Sequence, residues 1–178
     1  MDRIPFSRPV DIRRINDSGR TEQITASPEE RAAIAASFGI LGLDKLEARM
    51  VIRPWNRVGL ELEGRLIAEA VQACIVTLEP VPERIDQRFS LTFLPPEAQA
   101  ADPKTVAEAE VIVDVDADDP PDPLIGNTLD LGAIATEQLA LALDPYPRAP
   151  GADLAAALAE DGNGSTSPFA ALSQLKRD

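Results

Sequence analysis

The stretch Lys45-Leu46-Glu47-Ala48-Arg49-Met50-Val51-Ile52-Arg53 decides the fold. Leu46, Ala48, Met50 and Ile52 alternate with Lys45, Glu47, Arg49 and Arg53. A period of two belongs to an extended chain, whose side chains point to opposite faces in turn, so this run is a strand with one buried and one wet face. The pattern repeats downstream, where Leu60, Leu62, Leu66 and Ala68 alternate with Glu61, Glu63, Arg65 and Glu69. It returns a third time, with Ile85, Phe89, Leu91 and Phe93 against Arg84, Asp86, Arg88, Ser90 and Thr92. Pro54 to Gly59 supplies the first connection, and Glu79-Pro80-Val81-Pro82-Glu83 reads as a rigid turn or edge segment. Val71 to Leu78 loses the alternation, and is expected to continue the second strand past a bend. Residues 45 to 94 therefore read as an antiparallel meander.

Upstream, Ser27-Pro28-Glu29-Glu30 carries an N-cap serine, a proline suited to the first helical position and a Ser-x-x-Glu capping box. With Ala33, Ile34 and Phe38 as an apolar stripe and Gly39 as a stop, the spacing predicts a helix over 28–38. Before it, Phe6, Ile12, Ile15 and Ile24 flank the turn Asn16-Asp17-Ser18-Gly19, which predicts two short strands around that turn.

Downstream, residues 95–107 read as a mobile loop, and Val111, Val113 and Val115 as a short strand. The tract from Asp116 to Pro123 is too polar and too proline-rich to be expected to pack. A second helix follows Asp130, with Leu131, Ile134, Ala135, Gln138, Leu141 and Ala142 at helical spacing and Pro145 ending it. Beyond Tyr146 a tail is expected: a weak helix at 153–159, the linker Asp161-Gly162-Asn163-Gly164-Ser165, and a last short helix with Phe169, Leu172 and Leu175 on one face. The expected fold is α+β: a twisted antiparallel sheet, or a partly open barrel, with two main helices. Residues 1–148 make one domain with an acidic mobile loop at about 95–126, and 149–178 make a flexible linker and a short amphipathic helix.

Composition narrows the chemistry. Of 178 residues, 44% are hydrophobic, enough for a core, but aromatics are 4%, so that core is built from Val, Ile, Leu and Ala. No apolar run reaches the roughly 18 to 20 residues that span a bilayer, and the N-terminus lacks the run of a secretory signal. The single cysteine, Cys74, excludes an internal disulfide framework and fits a reducing cytoplasm. Histidine is absent, which removes the commonest general base and every Ser-His or Cys-His pairing. No cofactor is expected.

The net charge of −13 is unevenly spread. Residues 1–94 hold 14 acids and 13 bases, whereas 95–126 hold 9 acids and one base, Lys104. Residues 127–178 hold 7 acids and 3 bases. General phosphate neutralisation needs clustered Lys and Arg, so membranes and DNA are not expected partners. A basic protein, or an RNA contact confined to a local arginine patch, fits better.

Several clusters invite a functional reading. Asp114-x-Asp116-x-Asp118 has the start of a calcium loop, but Asp119 and Ile125 stand where Gly and Glu are required. A solvated acidic loop is the better account, with a Mg²⁺-assisted hydrolase as the enzymatic rival. Cys74, in Ala73-Cys74-Ile75-Val76, is expected to sit in a strand as a small buried hydrophobe, since no Lys lies nearby in sequence to activate it. Lys45, Arg49, Arg53 and Arg65 share a wet face with Glu61 and Glu63. Cross-strand ion pairing explains them, and a basic strip for RNA is the alternative. Arg3, Arg8, Arg13, Arg14 and Arg20 form the densest basic region, with Arg13 and Arg14 as the first choice for RNA contact. Pro168, Phe169, Leu172, Leu175, Lys176 and Arg177 make a short element beyond a Gly-rich linker, either docked on its own domain or held out for a partner.

Three segments resemble the YceD family of bacterial large-ribosomal-RNA accumulation proteins. Ser167-Pro168-Phe169-Ala170-Ala171-Leu172-Ser173-Gln174-Leu175-Lys176-Arg177 is similar to its closing signature. Leu129-Asp130-Leu131, leading into Glu137-Gln138-Leu139-Ala140-Leu141-Ala142-Leu143 and Pro145, resembles its acidic, Leu-rich helix. Cys74-Ile75-Val76-Thr77-Leu78-Glu79-Pro80-Val81 falls where many members carry Cys-x-x-Cys before Leu-Glu-Pro. Thr77 replaces the second cysteine, so no metal or redox role transfers. The resemblance implies a non-catalytic cytoplasmic factor needed for 23S rRNA accumulation. Its implied partners are ribosomal proteins or assembly factors of the large subunit, with a possible local 23S rRNA contact.

Overall fold

A computed structural model describes residues 5–96 and 120–152. The three alternating runs form long strands, β3 (Gly42–Trp55), β4 (Gly59–Ala73) and β5 (Pro80–Leu94). They pair in sequence order, antiparallel, with Leu46 opposite Ala68, Ile52 opposite Leu62, and Leu62 opposite Leu91. The meander is therefore as expected, with one face in the core: Leu46, Met50, Ile52, Leu62 and Leu66 are fully buried. Each such side chain contributes roughly 1.5–3 kcal/mol of burial. β2 (Arg20–Thr25) pairs antiparallel with β3, and β6 (Asp122–Pro123) pairs parallel with the end of β5, giving the order β2-β3-β4-β5-β6 in an open sheet, not a closed barrel.

Local signals fix the first helix. α1 spans Pro28–Phe38, as its capping box predicts: Ser27 Oγ accepts from the Glu30 amide at 3.3 Å, and a Glu30 carboxylate oxygen accepts from the Ser27 amide at 2.8 Å. Gly39 ends it in the left-handed region, φ 68°. The buried face is Ile34 and Ala35 with Phe38 half-buried, while Ala33 is exposed. α1 packs on β3. α2 (Leu131–Ala142) follows its N-cap Asp130 and packs against β4, β5 and β1 (Pro9–Asp11). Its core residues are Leu131, Ile134, Ala135, Gln138 and Leu139, so Leu141, assigned to that face by spacing, instead points outward at 71% exposure.

Two short strands do flank Asn16–Gly19, as expected, each finding its partner elsewhere, while three other expectations need correction. β1 pairs with β7 (Thr128–Asp130), far along the chain, while Ile12–Arg14 forms a 3₁₀ turn. β4 ends at Ala73, and residues 74–79 form a turn closed by Cys74 N–H donating to the Glu79 carbonyl and Leu78 N–H to the Cys74 carbonyl, so Cys74 is not in a strand. Its backbone bonds stay within the turn, leaving none for a ladder. The end of the acidic tract joins the sheet, because β5 offers an open edge: Asp122 and Pro123 pair with Phe93 and Leu94 while staying exposed, and just beyond them Leu124 N–H donates to the Leu94 carbonyl at 2.8 Å and its side chain is buried. Finally, the chain beyond Tyr146 returns to the body, with Pro147 buried and its carbonyl accepting from Ile75 N–H at 2.9 Å. Among the described residues no helix is long and apolar enough to cross a membrane.

Candidate functional site

The wet face of the meander carries the charged partners of the core residues. On it stand the bases Lys45, Arg49, Arg53, Arg65, Arg84 and Arg88, against the acids Glu47, Glu61, Glu63, Glu69 and Asp86. Most bases are committed to acids. Arg53 pairs with Glu63 at 2.6 Å, Lys45 with Glu47 at 3.2 Å and Arg84 with Glu69 at 3.6 Å. Such pairs on an exposed face each contribute about 0–1 kcal/mol.

One row breaks this rule. The register sets Gln23 opposite Arg49, Arg49 opposite Arg65 and Arg65 opposite Arg88. Three arginines thus lie side by side on adjacent strands, and like charges directly opposite one another oppose sheet formation. Arg65 is forked onto Asp86, with its Nε donating at 2.7 Å and Nη2 at 2.5 Å. Those hydrogen bonds hold the Asp86 carboxyl below its usual range against a desolvation penalty, helped by the charges of Arg65, Arg88 and Arg84. Arg49 makes no hydrogen bond or ion pair among the described residues, and Arg88 makes no hydrogen bond there. A groove of about 830 Å³ lies over this row, lined also by the apolar Val51, Ile67 and Phe89 and by Glu47 and Glu63, the acids paired with Lys45 and Arg53.

The anticipated N-terminal arginines are differently placed. Arg13 forks onto Asp11 at 2.8 and 2.9 Å, and Arg14 Nε lies 4.0 Å from the same carboxylate, although both side chains are largely exposed. The Arg13 hydrogen bond is the chief reason that Asp11 falls to a pKa of about 2. Arg8 forks onto Glu30 and stacks over the Phe6 ring at 4.7 Å, and Arg20 pairs with Glu22. Arg8 thus ties the N-terminal segment to α1, whereas Arg13 and Arg14 meet only Asp11 of their own turn. Arg3, Asp114, Asp116, Asp118 and the segment Pro168, Phe169, Leu172, Leu175, Lys176 and Arg177 lie outside the described residues. Among the described residues no cluster of three or more His, Cys, Asp or Glu side chains fits a metal.

Cys74 is buried, as expected, but it is not merely a small hydrophobe. Backbone N–H groups of Ala149 at 3.3 Å, and of Thr77 and Val76 at 3.4 Å each, donate to its Sγ. The Ala149 amide chiefly, with Thr77, pulls the thiol pKa down to about 6. Sequence reasoning sought a neighbouring cation and missed this, because backbone donors leave no residue-type signal. Arg88 was missed as part of the basic strip for a related reason, since only the β4–β5 register shows that it adjoins Arg65.

A protein-family model described as large ribosomal RNA subunit accumulation protein YceD matches residues 62–176. The match begins within β4, so Arg65, Asp86 and Arg88 lie inside it, whereas Arg13, Arg14 and Arg49 lie before it. No curated protein and no solved structure matches the chain.

Proposed function

The chain belongs to the YceD family of large ribosomal RNA subunit accumulation proteins, and from that premise we propose that it is a non-catalytic cytoplasmic factor in assembly of the large ribosomal subunit, needed for 23S rRNA to accumulate. The family match over 62–176 is the observation that carries this reading. Its chemistry supports a binding role: the chain has no histidine, and most bases of the sheet face are paired with neighbouring acids, not arranged around a reaction centre.

On this reading the protein works by holding components of the subunit. The acidic segment 95–126 and the C-terminal element containing Pro168, Phe169, Leu172, Leu175, Lys176 and Arg177 are suited to ribosomal proteins, which are basic. Residues 1–148 then act as the binding body and 149–178 as its extension. Deleting the gene is expected to lower 23S rRNA relative to 16S and to reduce mature large subunits on sucrose gradients. Unchanged profiles across growth temperatures would overturn it. A pull-down comparing the intact chain with one truncated at residue 160 tests the C-terminal assignment, which fails if both retain the same ribosomal proteins.

A further inference from the structure

We propose that the wet sheet face binds the sugar–phosphate backbone of single-stranded RNA along the row Arg49–Arg65–Arg88. This rests on the assembly-factor reading above and names its ligand.

Every other placement on this face follows the rule that opposite charges attract: Lys45, Arg53 and Arg84 each meet an acid. Only along the central row do three arginines adjoin across neighbouring strands, with one of them shared with Asp86. Two of the three, Arg49 and Arg88, therefore have no ion-paired acid among the described residues, and a polyanion supplies one. Strand spacing of about 4.8 Å puts the backbones carrying Arg49 and Arg88 roughly 10 Å apart, a span that successive backbone phosphates can follow. Arginine suits the task, because its planar fork donates to phosphate in pairs and also stacks on bases.

The groove favours RNA over an acidic peptide. Stable protein partners seat aromatic or large aliphatic anchors in deep pockets. Here the apolar lining is Val51, Ile67 and Phe89 along an open groove, with no deep pocket for such an anchor. Nor can a peptide add itself as a strand over the row's centre, because β3 and β4 are already hydrogen-bonded on both sides. The shallow, open face suits a single strand, with Gln23 at its end able to donate and accept towards bases or 2′-hydroxyls.

The test uses the full chain and a fluorescently labelled oligouridylate, read by anisotropy over a range of salt concentrations. The wild type should bind with a salt slope near −2, about 0.7 for each of three phosphates. Arg49→Ala with Arg88→Ala leaves the Arg65–Asp86 pair intact, so the sheet is kept while two phosphate contacts go. Affinity should fall about tenfold for each arginine lost, and the slope should shrink in magnitude to about 0.7, that of a single phosphate. Unchanged melting of that variant, checked by circular dichroism, ties the loss to contact and not to unfolding. Equal binding by this double variant overturns the proposal, as does loss of binding in Arg13→Ala with Arg14→Ala in its place, or tighter binding of polyglutamate than of RNA. Complementation separates the two levels. If deletion lowers 23S rRNA but the Arg49, Arg88 double variant restores it fully, the arginine row is wrong and the assembly reading stands.

Discussion

Gly132 offers a substitution for which two physical effects predict opposite signs. It lies in the first turn of α2, where alanine is the better helix former by up to about 1 kcal/mol, so propensity alone predicts a more stable protein. Packing predicts the reverse. A methyl carbon at Gly132 would lie 2.5 Å from the Phe6 carbonyl oxygen, 2.8 Å from its carbon and 2.9 Å from the Ser7 Cα. Non-bonded carbon contacts settle near 3.5–4.0 Å, so the N-terminal segment must retreat by about 1 Å. These are backbone atoms, and they are anchored. Phe6 is fully buried, Arg8 N–H donates to Asp130 at 2.7 Å, Ser7 Oγ donates to the same carboxylate at 2.5 Å, and Leu131 N–H donates to the Arg8 carbonyl at 3.0 Å. Overpacking of this kind costs about 1–3 kcal/mol, and weakening one hydrogen bond to a carboxylate adds about 1.5 kcal/mol. After the propensity gain, Gly132→Ala should destabilise by roughly 2–3 kcal/mol, lowering Tm by about 4–12 °C for a chain of this size. Calorimetry measures it, with exposed Ala140→Gly in the same helix reporting the propensity scale by itself. A Tm for Gly132→Ala at or above wild type would refute the packing argument.

Three further outcomes are expected from the contacts around Ser27, Asp130 and Cys74. Ser27→Ala removes the α1 cap and should cost about 1 kcal/mol in urea unfolding, while Ser27→Asp should recover most of it. Desolvation raises the Asp130 pKa, but hydrogen bonds from Ser7 and from the Arg8, Ala133 and Gly132 amides outweigh it, so the folded value lies below the ordinary one. Its stabilisation is then complete above the unfolded pKa of about 3.9 and is lost as pH falls through the folded value. The stability gap between wild type and Asp130→Asn should accordingly be flat above about pH 5 and close on acidification; a gap that widens in acid contradicts this. Cys74 should titrate near pH 6 by ultraviolet thiolate absorbance, and the stability it confers should be full above the unfolded pKa of about 8.5 and fall as pH drops towards 6. A midpoint at 8.5 or higher would show that the three amides do not hold a thiolate.

What the sequence disclosed was local, and what it hid was pairing. The limits of α1 follow from Ser27, Pro28, Glu30 and Gly39, all within the helix's own turns, so 28–38 could be read directly. The alternation of β3 is legible from Lys45 onward because a bulge at Asp44 inverts the pattern before it: Leu43 lies opposite Ala70 and Lys45 opposite Glu69, leaving Asp44 without a partner in the ladder. By contrast, Pro9–Asp11 finds Thr128–Asp130 across more than a hundred residues, and no short-range pattern announces that match. Asp130 unites both kinds of information. Its role as N-cap is readable from the helical spacing that begins at Leu131, while its hydrogen bonds to Ser7 and Arg8 depend on the long-range pairing. The arginine row is hidden in the same way. Arg49, Arg65 and Arg88 look like ordinary wet-face residues until the register aligns them.

The charge distribution and the row fit together on the proposed reading. A chain of net charge −13 repels nucleic acid at long range, yet its first 94 residues hold 14 acids and 13 bases and include the whole arginine row. Attraction is then confined to contact distance, within a Debye length of about 8–10 Å at ordinary salt. A binder with three phosphate contacts loses far less affinity on added salt than one with six to ten, but it also starts weaker. It takes hold of RNA only where the strand is already exposed at the groove, and it lets go when that strand folds or is covered. A factor that meets unfinished rRNA and must leave the finished subunit needs both properties. The guanidiniums of Arg49 and Arg88 supply the first, and the net negative charge of the chain, more than half of it carried by residues 95–126, supplies the second.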